Sequence, residues 1–462
     1  MLEKHGIKAI LLTALGVKLL FAAFVLTQNP GGIWVADSSS YWQPALSLLQ
    51  NQTFSESPDQ AGLSETTRTP GYPVFIFLVL KFLFHSAAVV IGMQILLSLG
   101  TIYLAYKIGV LVFGKKAGVL AGLFAALDLT ALASTNMILS EVLFDFLLIL
   151  GVWCVLTTLI HKNGKKTTIS GWALLSAGSF CFGAATLIRP VLYYFFPVFW
   201  LFCLVIAWQN KQSLKQIAWL MVAVILPAVV LGGGWQVRNF YQTGNAGISS
   251  IQGTNFLYYR AAGVYAMENQ IPIAQARQIL RTRFFEKYPD MESGTRAELS
   301  PLETKEGIAF ILDHPWTYAK AHFRGTVNMM LNPGTFRIMN LLGFDFQKNQ
   351  GPSLHDRFFE LGFFKFILHV FKTDFLLLTA LGCGGIVLLV FYGAACIGFF
   401  KAGSHLLSAS HIFILALITY LLLISGGPEA HDRFREPVMP LLALYAGFGL
   451  KNWYSGRTVV TD

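Results

Sequence analysis

The sequence predicts an all-α polytopic membrane protein, and three observations carry that reading. Of 462 residues, 55% are hydrophobic and 13% charged, with a mean hydropathy of +0.57, which is outside the usual balance of a soluble domain. Spanning a bilayer takes about 20 mostly apolar residues per helix. Ten runs qualify, near 7–27, 86–112, 117–137, 141–160, 169–188, 191–208, 217–235, 374–400, 410–426 and 437–453. Finally, the short loops at one end are consistently basic. With the N-terminus inside, they hold Lys4 and Lys8; Lys115 and Lys116; Lys162, Lys165 and Lys166; Lys211 and Lys215; Lys401; and Lys451 with Arg457. Glu3 and Asp462 are their only acids. Cytoplasmic loops are enriched in lysine and arginine in this way. The excess of 34 Lys+Arg over 24 Asp+Glu is therefore topology, and nucleic acid is not an expected partner.

Three parts are expected: a transmembrane module over 1–235 containing a first outer loop (28–85), an extracytoplasmic helical segment over 236–373, and a second transmembrane module over 374–462. The first apolar run lacks the small-residue cleavage site of a signal peptide and is expected to be retained. Lys18 lies midway along it, where a charge is expensive unless it faces a bundle interior, so a buried polar partner is expected. Five cysteines (Cys154, Cys181, Cys203, Cys383 and Cys396) all lie within apolar runs, which leaves the outer loops without a disulfide.

The first outer loop opens with Trp34-Val35-Ala36-Asp37-Ser38-Ser39-Ser40-Tyr41 and closes with Arg68-Thr69-Pro70-Gly71-Tyr72-Pro73. Residues 39–49 form an amphipathic helix, with Tyr41, Ala45, Leu48 and Leu49 as its stripe. Asp37 then stands at its start, where a carboxylate can either cap exposed amides or serve chemistry at a membrane exit. Gln50 to Thr67 is polar and expected to be mobile. Val74 to Phe84 is too short to span and holds Lys81, so it reads as an interfacial helix.

Ser140-Glu141 starts the fourth run, with Asp145 one turn deeper on the same face. A helix dipole suits Glu141 there but not Asp145. Further boundaries carry Arg189 in Leu187-Ile188-Arg189-Pro190, Arg238 and Asn239 after Trp235, and His431, Arg433 and Arg435 between Glu429 and Pro437. Guanidiniums gathered at one membrane face either bind phosphates, whose oxygens their fork matches, or anchor to lipid headgroups. The outer segment reads as helices over 272–285, 303–312 and 315–328, a small cap without strands.

In this order, ADSSSY (36–41), RTPGYPVF (68–75), SEVLFDF (140–146), LIRP (187–190), WQVRNFYQTGN (235–245) and DRFREPVMP (432–440) resemble the GT-C integral-membrane glycosyltransferases. The likeness is to the protein-mannosyltransferase and lipid A aminoarabinose-transferase type. The resemblance implies a polyprenyl-phosphate sugar donor, an acceptor that is a glycolipid, polysaccharide or protein, and transfer on the extracytoplasmic face of the plasma membrane. Both termini would then be cytoplasmic. Asp37 would be the catalytic base, and Glu141 would orient acceptor or metal. Arg433 and Arg435 would hold the donor phosphate, with Arg68 and Arg189 behind them, while Tyr41, Tyr72, Arg238, Asn239 and His431 would contact substrate. The usual acidic pair of the first loop is here a lone Asp followed by serines, which leaves binding of a divalent metal ion open. No large soluble domain is expected after the last run, unlike in the oligosaccharyltransferase branch. A transporter of lipid-linked sugars, or a polysaccharide polymerase or ligase, is the competing reading. Against a transporter, the charges gather at one face and the runs show no two-fold repeat.

Overall fold

A computed structural model describes residues 2–60, 62–160, 169–344, 362, 365 and 375–455. Lys165 and much of 345–374, assigned above to an inside loop and to the cap, lie outside the described residues. The described chain is helical throughout, with a single isolated bridge between Ser55 and Ser64. Each of the ten apolar runs becomes a helix, or a helix with a break. Among the described residues, six helices are long and apolar enough to cross a membrane, or seven if one bent pair counts as a span. This is a multi-pass membrane protein, although the count of ten spans is not reached on length and composition.

The bent pair shows why. Lys115–Ala126 and Leu129–Thr135 meet at 57°. At the break the Asp128 carboxylate accepts from the Thr130 amide at 2.9 Å, capping the second piece instead of letting the first continue. The runs at 410–426 and 437–453 become Ala409–Ser425 and Met439–Ser455, each of 17 residues. Conversely, the helix starting at Leu214 does not stop at 235. It passes through a π-helical turn, Val229–Gly233, and ends at Thr243, where Gly244 takes a left-handed φ of +73°.

One continuous apolar core joins the membrane helices, with fully buried Phe144, Phe182, Phe199 and Tyr445 in it. Large side chains such as Leu20 and Phe400 stay exposed on the outside of the bundle, as befits a surface solvated by lipid. The outer segment has a separate small core of Leu257, Ala276, Leu280 and Phe284, formed where Ile273–Lys287 and Arg296–Asp313 pack on the π-helical stretch Asn255–Ala261. Lys18 is 4% exposed and donates to Thr135 Oγ1 at 3.2 Å, the buried partner its position required.

Candidate active site

Two of the sequence motifs meet backbone to backbone. The Gly71 amide donates to the Leu187 carbonyl at 2.6 Å, and Thr69 Oγ1 donates to the Ile188 carbonyl at 3.1 Å. A Cβ at Gly71 would stand 2.6 Å from that Leu187 oxygen, so only glycine allows the approach. Arg68, just before this contact, and Arg189, just after Ile188, line one cavity. Helix Ser38–Asn51 is held by Ser38, whose Oγ accepts from the Val35 amide and donates to the Ile138 carbonyl. The loop after it is not the mobile stretch expected. Arg238 donates to the Phe54 and Glu65 carbonyls at 2.9 and 2.7 Å, and Thr66 and Thr67 bond Ser249 and Ser250. Backbone carbonyls of 50–67, and the Thr66 hydroxyl, thus find partners across the chain, which composition alone does not reveal.

These contacts bring Asp37 between two arginines. Its Oδ1 lies 2.8 Å from Arg68 Nη2 and its Oδ2 lies 2.6 Å from Arg433 Nη2. Although Asp37 is the N-cap residue, its side chain makes no capping bond; the carboxylate is spent on the arginines. Burial alone would raise its pKa, but the Arg433 and Arg68 guanidiniums outweigh it and hold the carboxyl down to about 2. Ser40 Oγ and Tyr41 Oη accept from Arg68 at 2.8 and 3.2 Å, and the Arg68 guanidinium stands over the Tyr41 ring. Beside this group, Arg189 Nη1 lies 2.7 Å from Glu141 Oε1, with Arg433 Nε 3.6 Å from the same oxygen. Arg433 therefore sits between both carboxylates. His431 is held to a pKa of about 4, by burial and then by Arg433 and Arg337. It is neutral at physiological pH, and its Nδ1 is buried with no hydrogen-bond partner.

Asp37, Arg68, Glu141, Arg189, His431 and Arg433 all line one cavity of about 1770 Å³. That exceeds the 300–1,000 Å³ or so of a small-molecule pocket. Tyr41 also reaches it.

The other expected site residues go elsewhere. Arg435 is 1% exposed and donates to the carbonyls of Met329 and Asn332 and to Thr130 Oγ1; the cavity does not include it. A 3₁₀ turn, Asp432–Val438, is responsible, because it sends residues two apart to different sides. Tyr72 is wholly buried and donates to Gln94. Arg238 is packed against Phe54 and Trp235 while it holds the first loop, and Asn239 donates to the Gly247 carbonyl. All three have structural partners, and none of them lines the large cavity. Asp145 also turns away, toward Asp128 and Glu436 around a cavity of about 20 Å³. Arg260, Arg277 and Arg324 line the large cavity and were not singled out as site residues; Glu429, from the boundary at 429–437, lines it as well.

A divalent ion does not fit this arrangement. Among the described residues no three His, Cys, Asp or Glu side chains come together to hold one. The carboxylates of Asp37 and Glu141 have a guanidinium between them, where a cation would sit.

No family model and no curated protein sequence matches the chain. Solved structures do. The archaeal oligosaccharyltransferase AglB from Archaeoglobus fulgidus, in complex with an inhibitory peptide and a dolichol-phosphate, matches with a TM-score of 0.50 at 13% identity, over 98% of this chain and 52% of that one. The apo form of the Archaeoglobus fulgidus oligosaccharyltransferase gives 0.51 at 14% identity, over 99% of this chain and 53% of that one. The same enzyme tethered to an acceptor peptide gives 0.52 at 13% identity, over 98% and 50%. This chain thus spans about half the length of those neighbours. They come from the branch that the sequence had set aside, and at such identity the likeness carries the fold and not the branch. Described helix by helix and compared as a whole, the chain has the GT-C fold.

Proposed function

We propose that the protein transfers a sugar from a polyprenyl-phosphate donor to an acceptor hydroxyl at the extracytoplasmic face, with Asp37 as the base. One observation carries the reading: a carboxylate clamped by two arginines at the wall of a large cavity, with Arg189 and Glu141 beside it. The fold supports it, as does the dolichol-phosphate bound by the AglB neighbour.

In the reaction, the acceptor oxygen attacks the sugar's anomeric carbon. The new C–O bond forms as the bond from that carbon to the phosphate oxygen breaks. The phosphate keeps the electron pair, and the acceptor's proton goes to Asp37. Arg433, Arg68 and Arg189 hold the leaving phosphate, a charge best met by donors already in place. Three arginines against two carboxylates leave one positive charge, the match for one phosphodiester. Arg433 and Arg68 cannot fully serve both the phosphate and Asp37. As the phosphate takes their N–H groups, Asp37 loses what held its pKa near 2 and becomes a better base. Glu141 keeps Arg189 in place. Arg435 supports the turn that presents Arg433 and does not touch the donor.

The basic-loop count places Asp37 outside and Lys401 inside. Labelling Asp37→Cys and Lys401→Cys in sealed vesicles tests that, and reaction from the same side would overturn it. The chemistry is tested with purified protein and a panel of polyprenyl-phosphate sugars. Release of polyprenyl phosphate that depends on an acceptor is expected. Absence of any transfer, with the lipid bound and then exported, would favour a transporter.

A further inference from the structure

The large cavity has a second cationic wall. Asn255, Phe256, Tyr259 and Arg260 reach it from one π-helical stretch, Asn255–Ala261. Such stretches are rare and recur at functional sites. Arg260 is neutralised there, with its Nε 2.9 Å from Glu429 Oε1 and its Nη2 2.8 Å from the Ile424 carbonyl. Arg277, from helix Ile273–Lys287, is not. Its Nε donates to the Tyr258 carbonyl at 2.9 Å, and its guanidinium lies over the Tyr259 ring at 4.2 Å. Those contacts fix the fork without cancelling its charge, and among the described residues no carboxylate pairs with it. Arg324 lines the cavity as well.

Around the cavity, Asp37 and Glu141 are met by Arg68, Arg189 and Arg433, and Glu429 by Arg260. A polyprenyl-phosphate sugar brings a single negative charge, which the group around Asp37 already matches. The charge at Arg277 is left available to another anion. We infer that Arg277 heads a second anion subsite, and that the acceptor docks there through a phosphate group. Calling its occupant the acceptor rests on the sugar-transfer reading; the anion subsite itself does not. A planar fork with its Nε committed still offers two N–H groups side by side, which match two phosphate oxygens. Tyr259 beneath it restricts the rotamers and lowers the entropy lost on binding.

The test uses the full chain in nanodiscs, with glycerol 3-phosphate as the soluble probe and polyprenyl monophosphate as the donor-side probe. Glycerol 3-phosphate should bind even when polyprenyl monophosphate is saturating. Arg277→Gln should weaken glycerol 3-phosphate about tenfold or more and leave polyprenyl monophosphate within about twofold. Arg277→Lys, which keeps the charge, should recover part of the loss and separates a lost contact from a lost fold. Arg433→Gln should do the reverse. A nanodisc arm containing phosphatidic acid distinguishes the sources: displacement of glycerol 3-phosphate assigns the phosphate to a lipid headgroup, and its absence assigns it to a soluble acceptor. Glycerol 3-phosphate affinity unchanged in Arg277→Gln, or full competition between the two probes, would overturn the second subsite. Failure of polyprenyl monophosphate to bind would instead remove the donor reading and leave the Arg277 result standing.

Discussion

Arg433 and Arg435 stand two residues apart on one 3₁₀ turn and end in opposite surroundings. Arg433 enters the large cavity and meets the carboxylates of Asp37 and Glu141 at its wall. Arg435 enters the protein and meets buried backbone carbonyls away from that cavity. Its neighbour Glu436 accepts from Ser134 at 2.6 Å and faces Asp128 and Asp145 around about 20 Å³, room for roughly one water. The two regions have similar residues and opposite access. A polar group at a membrane exit is a candidate for chemistry only where its partners can be exchanged, and the second region is built as support for the first.

The comparison breaks most visibly at Asp37. Asn cannot accept a proton, so turnover of Asp37→Asn should fall by about two to four orders of magnitude at matched expression. Because the carboxylate makes no capping bond, loss of a helix cap is no longer a competing explanation. Near wild-type turnover would move the base to Glu141.

Arg435→Met should cost about 3 kcal/mol of stability, since it strands buried carbonyls and Thr130. Thermal unfolding reads this out. Among molecules that remain folded, affinity for polyprenyl phosphate should be unchanged; a loss of affinity there would return Arg435 to the donor site. Arg433→Gln should lose about 1.5–3 kcal/mol of donor binding in a lipid-phosphate titration, and its loss of stability should stay within the roughly 2 kcal/mol that the Asp37 pairing contributes.

Acid sharpens the same contrast. The pKa of Asp37 is depressed from 3.8 to about 2, so its pairing stabilises the fold above about pH 4. That contribution is lost as pH falls toward 2, and it amounts to about 2 kcal/mol. Wild type should therefore lose more stability than Asp37→Asn between pH 5 and pH 2, on the order of that figure. Parallel losses would mean that the arginines do not hold the carboxylate in solution. The smallest effect is expected at Arg238→Gln, where lost bonds to the Phe54 and Glu65 carbonyls should cost about 1 kcal/mol. Proteolysis should then become faster within 50–67, with donor affinity kept.

Much of the bundle was legible because lipid demands long apolar helices, and those leave an unmistakable mark on composition. Asp37, Arg68, Glu141, Arg189 and Arg433 were legible because charges at apolar boundaries are costly and so stand out. Arg435 and Arg238 carried the same mark for a different reason, since buried carbonyls attract guanidiniums as phosphates do, and one sequence cannot separate the two. Tyr72 was drawn in by its motif, yet Gly71 beside it is the residue whose shape the motif requires. Arg277 was missed because its helix is rich in ordinary surface charge, and Arg260 because it is a lone charge in an apolar stretch away from the motifs. Only the packing of Asn255–Ala261 turns them toward the cavity.

Competition for the arginines is best tested by the affinity of Asp37→Asn for polyprenyl phosphate, measured beside the wild type in nanodiscs. If Asp37 and the donor phosphate share Arg433 and Arg68, removing the carboxylate's charge should tighten lipid binding by about tenfold, the worth of one charge-assisted bond, even as transfer collapses. Unchanged or weaker binding would contradict the exchange and leave Asp37 as a fixed partner of its arginines.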